Sequence, residues 1–437
     1  MTLTTESAGA PTPYAPPEPG TVVVYRGATL FDGTGGPARP GTSIVVDGPL
    51  IRAVVPDGDP AASVEGADVV DLTGRFVTPG LIDAHQHLAT PPDRPAAEAV
   101  LRRLVHSGVT GVRDMADDLR QIGDLARAAL VGEIAGPDIH YAALMAGPGF
   151  FDDPRTHQVT RGAVPGAVPW MQAVTDATDL PLAVALARGT HASAIKVYAD
   201  LDAALVTAVT AEAHRQGIPV WAHAAVFPAT PGQVVAAGVD TVSHVTLLAH
   251  ETADRPLTSY RDKPPVDHAS LVTGADARLD ALFARMRERG VILDATAALW
   301  SSAELAGDER AESNTELAVA LTAQAHRAGV ELATGTDHET PPGDPFPALY
   351  DELAFLVRRC GIPERDVLRS ATLVGARGAG VGHLTGSVEP GKLADLAVFA
   401  RDPLADIDHL RTITLTVKRG RRLPRADFAT DLPRESR

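Results

Sequence analysis

Strands and helices are expected to alternate along most of this 437-residue chain, and this alternation limits its fold more than any other feature. Apolar, β-branched segments recur between Leu81 and Thr336, and the helical stretches between them often end at a glycine. The eight predicted strands are 81–88, 109–115, 138–145, 194–198, 218–224, 239–245, 291–299 and 330–336. Strands separated by helices pair in parallel. Eight such units between Leu81 and Glu339 match the roughly 250 residues of a (β/α)8 TIM barrel, so the sequence predicts an α/β fold of that type.

Short strands outside the barrel segment predict a second, smaller domain. Segments 42–46 and 50–55 flank Asp47-Gly48-Pro49, a turn signal that predicts a hairpin. Strands 396–399 and 412–418 can pair with these early strands. We therefore expect a composite β-sandwich domain made of residues 21–75 and 386–425, with residues 76–385 forming the barrel domain. Residues 1–20 hold five prolines and no apolar core, which predicts a disordered lead-in rather than a signal peptide or a spanning helix.

Composition excludes several classes of partner. The net charge of −16 argues against nucleic acid or an anionic membrane as the main partner. It also disfavours a highly anionic substrate, although a local site can oppose the global sign. Cys360 is the single cysteine, so no internal disulfide can form and nothing indicates an oxidising compartment. We expect a cytoplasmic protein that acts on a small molecule and forms a homo-oligomer, as is common among soluble proteins.

Two histidines one residue apart end the first predicted barrel strand. Side chains alternate between the faces of a strand, so His85 and His87 point the same way while Gln86 points away. Both imidazoles can then reach one metal ion at about 2.0–2.1 Å. Taken alone, the pair fits a surface or packed pair of histidines equally well.

Four more potential ligands lie near the ends of other predicted strands: Lys196, His223, His244 and Asp337. Each has a structural alternative. The two histidines can be hydrogen-bonded core residues, the lysine can pair with a buried carboxylate, and the aspartate can cap the next segment. The active sites of TIM barrels are built at the C-terminal ends of the strands. The six residues together therefore predict a metal site at that face.

At this point the chain resembles the amidohydrolase superfamily over nearly all of its length, in the binuclear branch with a carboxylated lysine. The likeness is carried by Thr78-Pro-Gly-Leu-Ile-Asp-Ala-His-Gln-His87, by Gly335-Thr-Asp337, by the single lysine and histidines on strands four to six, and by the tail Gly386-Ser-Val-Glu-Pro-Gly-Lys-Leu-Ala-Asp-Leu-Ala-Val398. That tail is expected to re-enter the sandwich domain.

The resemblance implies a cofactor and a mechanism. Two divalent metal ions are expected, with zinc as the expected metal for histidine and carboxylate ligands. His85, His87 and Asp337 would hold one ion, His223 and His244 the other, and carboxylated Lys196 would bridge them. A metal-bridging hydroxide would attack the substrate carbonyl. Asp337 would act as the catalytic general base and then as the acid that protonates the leaving nitrogen.

Within the family, the sequence favours amide hydrolysis. Deaminases keep a glutamate shortly after the strand-five histidine, whereas His223 is followed by Ala-Ala-Val-Phe. What remains is similar to imidazolonepropionase-related and Xaa-Pro dipeptidase-like enzymes, N-acyl amino acid hydrolases and ochratoxin-type amidases. This similarity predicts cleavage of a carboxamide, either peptide-like or an N-acyl or aryl amide. The 146–157 loop lacks the Gly-Gly-His run of the dipeptidases, which argues against a dipeptide substrate. The alternatives are a lactonase or esterase with the same site, and a non-catalytic structural relative.

The substrate pocket is expected to be built from the loops at the strand ends. The candidate substrate-binding residues are Tyr198, Trp221, Phe150, Arg155, His157 and Trp300. The aromatic ones can equally pack under long loops. The arginine can clamp a substrate carboxylate or pair with Asp152 or Asp153. The roles of the 146–170 and 250–274 loops are left open.

Overall fold

The computed structural model describes residues 12–274, 276–301, 305–341 and 343–430. Eight parallel strands pair with their neighbours in chain order and confirm the predicted TIM barrel. Barrel strands 1 to 8 are Leu81–Gln86, Val109–Asp114, Asp138–Ala146, Ala194–Val197, Val220–His223, Thr241–Ser243, Ile292–Asp294 and Leu332–Ala333. The barrel closes between strands 8 and 1, where the Ala84 N–H donates to the Thr334 carbonyl (2.8 Å) and the Asp337 N–H to the His85 carbonyl (2.9 Å).

One principal helix follows each barrel strand: Arg94–His106, Leu119–Leu130, Leu180–Gly189, Ala203–Arg215, Pro231–Ala236, Ala277–Arg289, Glu309–Arg327 and Leu349–Arg358. Most of these helices begin after an aspartate whose carboxylate accepts a backbone N–H of the first turn, as Asp202 does from Leu205 (2.8 Å). Such caps satisfy donors that have no partner inside the helix. They fix where each helix starts and therefore the length of the loop at the end of the preceding strand.

Shorter elements complete the barrel. The helical ones are Pro148–Asp152, Pro154–Val159, Val245–Thr252, His268–Leu271, Glu364–Arg369, Ser370–Val374 and Gly375–Gly378. Two short strands, Ala167–Val168 and Met171–Ala173, lie within the loop that was predicted to be irregular, and the second pairs in parallel with the end of barrel strand 3. The sheet is thereby widened beside the C-terminal end of that strand.

The second domain is built from both ends of the chain, as predicted, and its eight strands form one sheet. Its strands are Val22–Leu30, Arg39–Asp47, Leu50–Pro56, Asp68–Asp71, Phe76–Pro79, Leu396–Phe399, Ile413–Lys418 and Arg421–Pro424, accompanied by the short helices Pro60–Ala62, Ile407–Thr412 and Arg425–Thr430. The expected hairpin is present, with Asp47 paired to Leu50. Strands from both ends of the chain share one apolar core that includes Tyr25, Ile44 and Val398.

Two segments differ from expectation. Strand Phe76–Pro79, which was expected to begin the barrel, pairs with Leu396–Phe399 inside the small sheet. The expected lead-in lies outside the described residues as far as residue 11. Its remainder packs against the barrel, since the Tyr14 N–H donates to the Gly132 carbonyl (2.9 Å). The Tyr14 ring packs on a small apolar cluster around Val105, so one aromatic residue anchors this proline-rich segment.

The interior of the barrel below the site contains a buried cation. The Arg113 guanidinium is fully buried, lies 4.6 Å from the ring of Trp221, and donates to the Ala84 carbonyl (2.8 Å) and to Asp294 (3.2 Å). This stack fills the barrel core below the site. Within the described residues, none of the helices combines the length and apolar character that a membrane-spanning segment requires.

Candidate active site

The six predicted ligands converge at the C-terminal mouth of the barrel, and five of them reach it directly from strand ends. His85, Lys196 and His223 are in strands 1, 4 and 5, and His244 follows strand 6. A cavity of about 270 Å³ above them is lined by all six residues. The parallel strands therefore bring together side chains that are separated by up to some 250 positions.

Asp337 lies nearest to the first histidine pair. Its Oδ1 is 3.4 Å from His85 Nε2 and 3.5 Å from His87 Nε2, and its Oδ2 is 3.6 Å from His244 Nδ1. Within the described part of the chain, His85, His244 and Asp337 bring their donor atoms within 4.8 Å of one another, a spacing that a metal ion could occupy. In the structure His244 is therefore about as close to Asp337 as His87 is.

Carboxylates outside the ligand set orient both histidines of strand 1. The Nδ1 of His85 bonds Asp294 Oδ2 (2.7 Å), and the Nδ1 of His87 bonds Asp117 Oδ1 (2.7 Å). In each ring this contact leaves Nε2 free to face Asp337. A histidine that ligates a metal usually donates its other ring nitrogen to such a carboxylate. The pattern is what a metal site requires.

Lys196 and His223 are buried side by side with few partners. The Lys196 side chain is fully buried, and its Nζ contacts the Ser243 hydroxyl at 3.3 Å. Among the described residues, no carboxylate forms an ion pair with it. Nδ1 of His223 is buried without a hydrogen-bond partner in the described structure. Buried polar groups without partners are energetically costly. Both side chains therefore fit residues that bind an additional group.

Backbone strain accompanies the ends of strands 6 to 8. His244, Thr296 and Asp337 have φ angles of 71°, 44° and 53°, in the left-handed region that residues with a Cβ rarely adopt. Thr296 Oγ1 contacts His244 Nδ1 at 3.0 Å. The Glu352 carboxylate accepts the N–H groups of Ala297 and Ala298 at 2.8 Å each. These bonds hold the loop after strand 7 in its strained conformation.

Burial and charge set the protonation of these groups. Burial lowers the pKa of Lys196 to about 7, although the nearby Asp294 charge raises it. Burial, reinforced by the Lys196 charge, lowers the pKa of His244 to about 3 and holds that of His223 well below its usual value. For His87, attraction to Asp117 outweighs burial and raises the pKa to about 9. His223 and His244 are therefore neutral near pH 7, with a ring lone pair available for a metal.

The substrate-pocket candidates separate into three groups. Tyr198, Phe150 and Arg155 line the cavity, with the ring centroids of the two aromatic residues 4.4 Å apart. Trp300 lines a neighbouring cleft instead. His157 is exposed and, among the described residues, does not belong to the cavity lining. Arg155 pairs with Asp153 (2.8 Å) rather than Asp152.

Trp221 is not in the pocket, contrary to expectation. It is fully buried below the site, between Arg113 and the apolar side chains of Met115 and Ala142. The prediction used the two-residue spacing from His223, which gives the correct face of the strand. Residues two apart on a strand differ in height by about 6.5–7 Å, so Trp221 lies one layer deeper in the barrel.

Several residues that support the site were not predicted from the sequence. Asp83, Asp117 and Asp294 are buried carboxylates on strands 1, 2 and 7 or just after them, and each hydrogen-bonds a residue of the site. An aspartate inside the mostly apolar predicted strand 291–299 was a visible signal for Asp294. Gly335 was quoted only as part of a motif. The structure explains it, because a Cβ there would collide with His85 and with Asp294 Oδ1.

The fold and the site define an α/β-barrel protein with a histidine, lysine and aspartate cluster at the barrel mouth. Residues 76–423 match the model of the Amidohydrolase family, so this chain belongs to that family. The predicted resemblance to the amidohydrolases is confirmed at the level of the family.

The individual relatives differ in how much of this chain they match. Adenine deaminase 2 from Agrobacterium fabrum (strain C58 / ATCC 33970) is 39% identical over 90 residues, which are 21% of this chain and 14% of that protein. The chain therefore spans only a small part of the length of this curated relative. Two solved structures are similar over almost the whole chain. A Xaa-Pro dipeptidase with bound methionine has a TM-score of 0.72 at 23% identity, covering 92% of this chain and 100% of the other. The A. niger ochratoxinase has a TM-score of 0.70 at 22% identity, covering 92% and 95%. At these identities the two structures show the shared fold.

Proposed function

We propose that this protein is a metal-dependent hydrolase that cleaves the C–N bond of a carboxamide, either a peptide-like amide or an N-acyl or aryl amide. The observation that carries the proposal is Asp337, whose Oδ1 faces the Nε2 atoms of His85 and His87 at 3.4 and 3.5 Å. A carboxylate placed among imidazole ring nitrogens at a barrel mouth can both bind a cation and accept a proton. Family membership and the named dipeptidase neighbour support amide chemistry.

The residues present fit two divalent cations. His85, His87 and Asp337 would hold one, and His223 and His244 the other, with zinc as the expected metal. The partnerless Nδ1 of buried His223 supports this assignment. When bound, the ions lower the pKa of water and polarise the substrate carbonyl.

Lys196, as a carbamate, would be a further ligand of the metal site. With a pKa of about 7, a substantial fraction of its amine is uncharged near neutral pH, and this is the form that adds CO2. The modification would also replace a fully buried, unpaired cation by an anionic ligand. The burial of Lys196 is therefore consistent with a modified side chain.

Asp337 would carry the proton during the reaction. Its carboxylate takes the proton of the attacking water and returns it to the leaving nitrogen, so that one group serves as base and then as acid. Tyr198 and Phe150 would form the aromatic wall that limits access of bulk water. The residues after His223, Ala224 to Phe227, are all buried and apolar. None of them is the glutamate that deaminases keep at this place, which supports amide hydrolysis rather than deamination.

The test combines metal analysis with a substrate panel. Protein purified without chelators should contain more than one equivalent of divalent metal by mass spectrometry. It should hydrolyse members of a panel of dipeptides, N-acyl amino acids and aryl amides, lose this activity on chelation, and regain it with Zn²⁺. Cleavage of matched esters and lactones without any amide would favour the lactonase or esterase alternative. Fewer than one equivalent of metal, or an inert panel, would refute the proposal.

A further inference from the structure

A second cleft of about 550 Å³ opens beside the metal-site cavity. The two share Arg155, Tyr198, His244 and Asp337 in their walls. A substrate whose scissile bond lies at Asp337 can therefore extend into this second cleft. Its outer wall is the 250–274 segment, whose role the sequence left open.

The 250–274 segment is anchored over the site. Leu257 is buried against Ala225 and Phe227, and the Tyr260 N–H donates to Asp200 Oδ1 at 2.8 Å. Asp200 lies just beyond barrel strand 4, so this bond ties the segment to the strand that carries Lys196. The Tyr260 ring consequently lies above the metal-site residues, with its centroid 5.7 Å from that of His223.

Lys263 is held over the aromatic floor of the second cleft. Its Nζ lies 3.6 Å from the Tyr260 ring centroid and 5.8 Å from that of Phe227. Within the described residues it forms no ion pair. Its ammonium is thus positioned by cation–π contacts while its remaining donors stay free for a ligand.

The cleft is locally positive although the whole chain carries a net charge of −16. Its described lining contains the cations of Lys263 and Arg310, together with Arg155, which is already paired with Asp153, and a single carboxylate, that of Asp337. His250 adds a buried Nδ1 that has no hydrogen-bond partner among the described residues. An arrangement of this kind attracts an anion.

The rest of the cleft lining is apolar or aromatic. Tyr260 and Trp300 provide the rings, and Leu247, Leu299 and Val266 provide aliphatic surface. A ligand that fills this space must therefore bury an apolar or aromatic group beside its charge.

We infer that Lys263 is a specificity-determining residue that binds a carboxylate of the substrate in the second cleft. The preferred substrates are then amides that carry both an anionic group and an apolar or aromatic group. The inference rests on the proposed amide hydrolysis and adds the substrate class. A charge-assisted hydrogen bond of this kind corresponds to roughly tenfold or more in specificity.

The test uses two amides that differ by one carboxylate, N-benzoylphenylalanine and N-(2-phenylethyl)benzamide. The metal-loaded wild type should favour the anionic amide in kcat/KM by about tenfold or more. Lys263→Met, which keeps an unbranched side chain without the charge, should lower this ratio by a similar factor, and Lys263→Arg should retain most of it. Arg261→Met is the matched control, since Arg261 lies in the same segment, is exposed, and pairs with Asp152 at 3.9 Å outside both described cavity linings.

Failure of the inference and failure of the proposed function give different results. If neither amide is cleaved, amide hydrolysis of this class is refuted, and calorimetric titration of the same two compounds still measures the anion preference. Equal binding of both, or a ratio unchanged in Lys263→Met, overturns the assignment of Lys263. Unfolding midpoints of the variants verify that the exposed lysine was replaced without loss of the fold.

Discussion

Glu352 links the stability of the fold to the geometry of the site, and it allows a pH-dependent prediction. Its side chain is fully buried in helix Leu349–Arg358 and accepts the N–H groups of Ala297 and Ala298. Burial raises the pKa of Glu352 from 4.5 to about 8, and the two hydrogen bonds oppose this rise only in part. Near neutral pH the folded protein therefore keeps a proton that the unfolded chain releases.

The sign of the effect follows from proton binding. Between pH 4.5 and 8 the folded state binds more protons at Glu352 than the unfolded state does, so the free energy of unfolding falls as the pH rises through this window. At about 1.4 kcal/mol per pH unit, the upper limit is about 5 kcal/mol. Because protein interiors respond with a higher effective dielectric than a dry medium, we expect a loss of about 2 kcal/mol between pH 5 and pH 8.5.

Glu352→Gln isolates this contribution. The amide does not ionise, and its NH2 group faces one backbone donor, a cost of about 1 kcal/mol that does not vary with pH. In urea unfolding, wild type should be more stable than the variant at pH 5, and this advantage should disappear or reverse at pH 8.5. Asp351→Asn, an exposed neighbour paired with Arg411, should change stability by less than about 0.5 kcal/mol at both pH values. A difference between wild type and Glu352→Gln that stays constant from pH 5 to 8.5 would refute the raised pKa.

Three further predictions concern the site and the domain junction. Asp337→Asn should lower turnover by about 10²–10⁴-fold with a much smaller loss of bound metal by mass spectrometry; near-normal turnover with metal bound would exclude the proton-transfer role. Asp117→Asn should weaken metal binding by about 10–100-fold, measured by chelator competition at pH 9 so that the His87 proton competes little. Asp118→Asn is the matched control: asparagine still caps helix Leu119–Leu130 and only the ion pair with Arg120 is lost, so stability should change by less than about 1 kcal/mol and metal affinity should stay unchanged. Equal metal affinity in the two variants would contradict the orienting role of Asp117. Asp138→Asn should destabilise the fold by about 3 kcal/mol, because it leaves buried Lys418, 2.7 Å away, without its carboxylate. The Lys418 and Arg419 charges outweigh the effect of burial and lower the pKa of Asp138 to about 2, so its contribution is present above the unfolded value of 3.8 and lost as the pH falls towards 2; urea curves that match wild type at neutral pH would contradict it.

Local patterns explain why the barrel was predictable. Every barrel strand was predicted, with its ends within a few residues, because alternating strands and helices produce a periodic pattern of apolar residues in the sequence. The same two-residue period placed His85 and His87 on one face. Residues 76–79 were placed in the barrel domain and not predicted as a strand of the small sheet, for a related reason: their partner, Leu396–Phe399, lies more than 300 residues away, and no local pattern indicates such a pairing.

The supporting shell of the site was not predictable in the same way. His85 and Asp294 are 209 positions apart, and their bond depends on the relative height of strands 1 and 7 in the closed barrel. The height of a residue along its strand also explains the error at Trp221. Its face of the strand was predicted correctly, but its layer in the barrel was not. Periodicity gives the face of a side chain, whereas its depth and its partners depend on strand stagger, which requires the three-dimensional structure.

Strain at the barrel mouth shows how the fold maintains the site. The left-handed backbones of His244, Thr296 and Asp337 cost of order 1–3 kcal/mol each. The barrel compensates through bonds made by these same residues and their neighbours: the His244 N–H donates to the Asp294 carbonyl (3.0 Å), and the Asp337 N–H donates to the His85 carbonyl (2.9 Å). The second bond joins two proposed metal ligands directly. The first joins His244 to Asp294, whose carboxylate is the partner of the ligand His85. A change that releases one strained residue should therefore displace donor atoms on two strands, so that the geometry of the site is lost before the fold is.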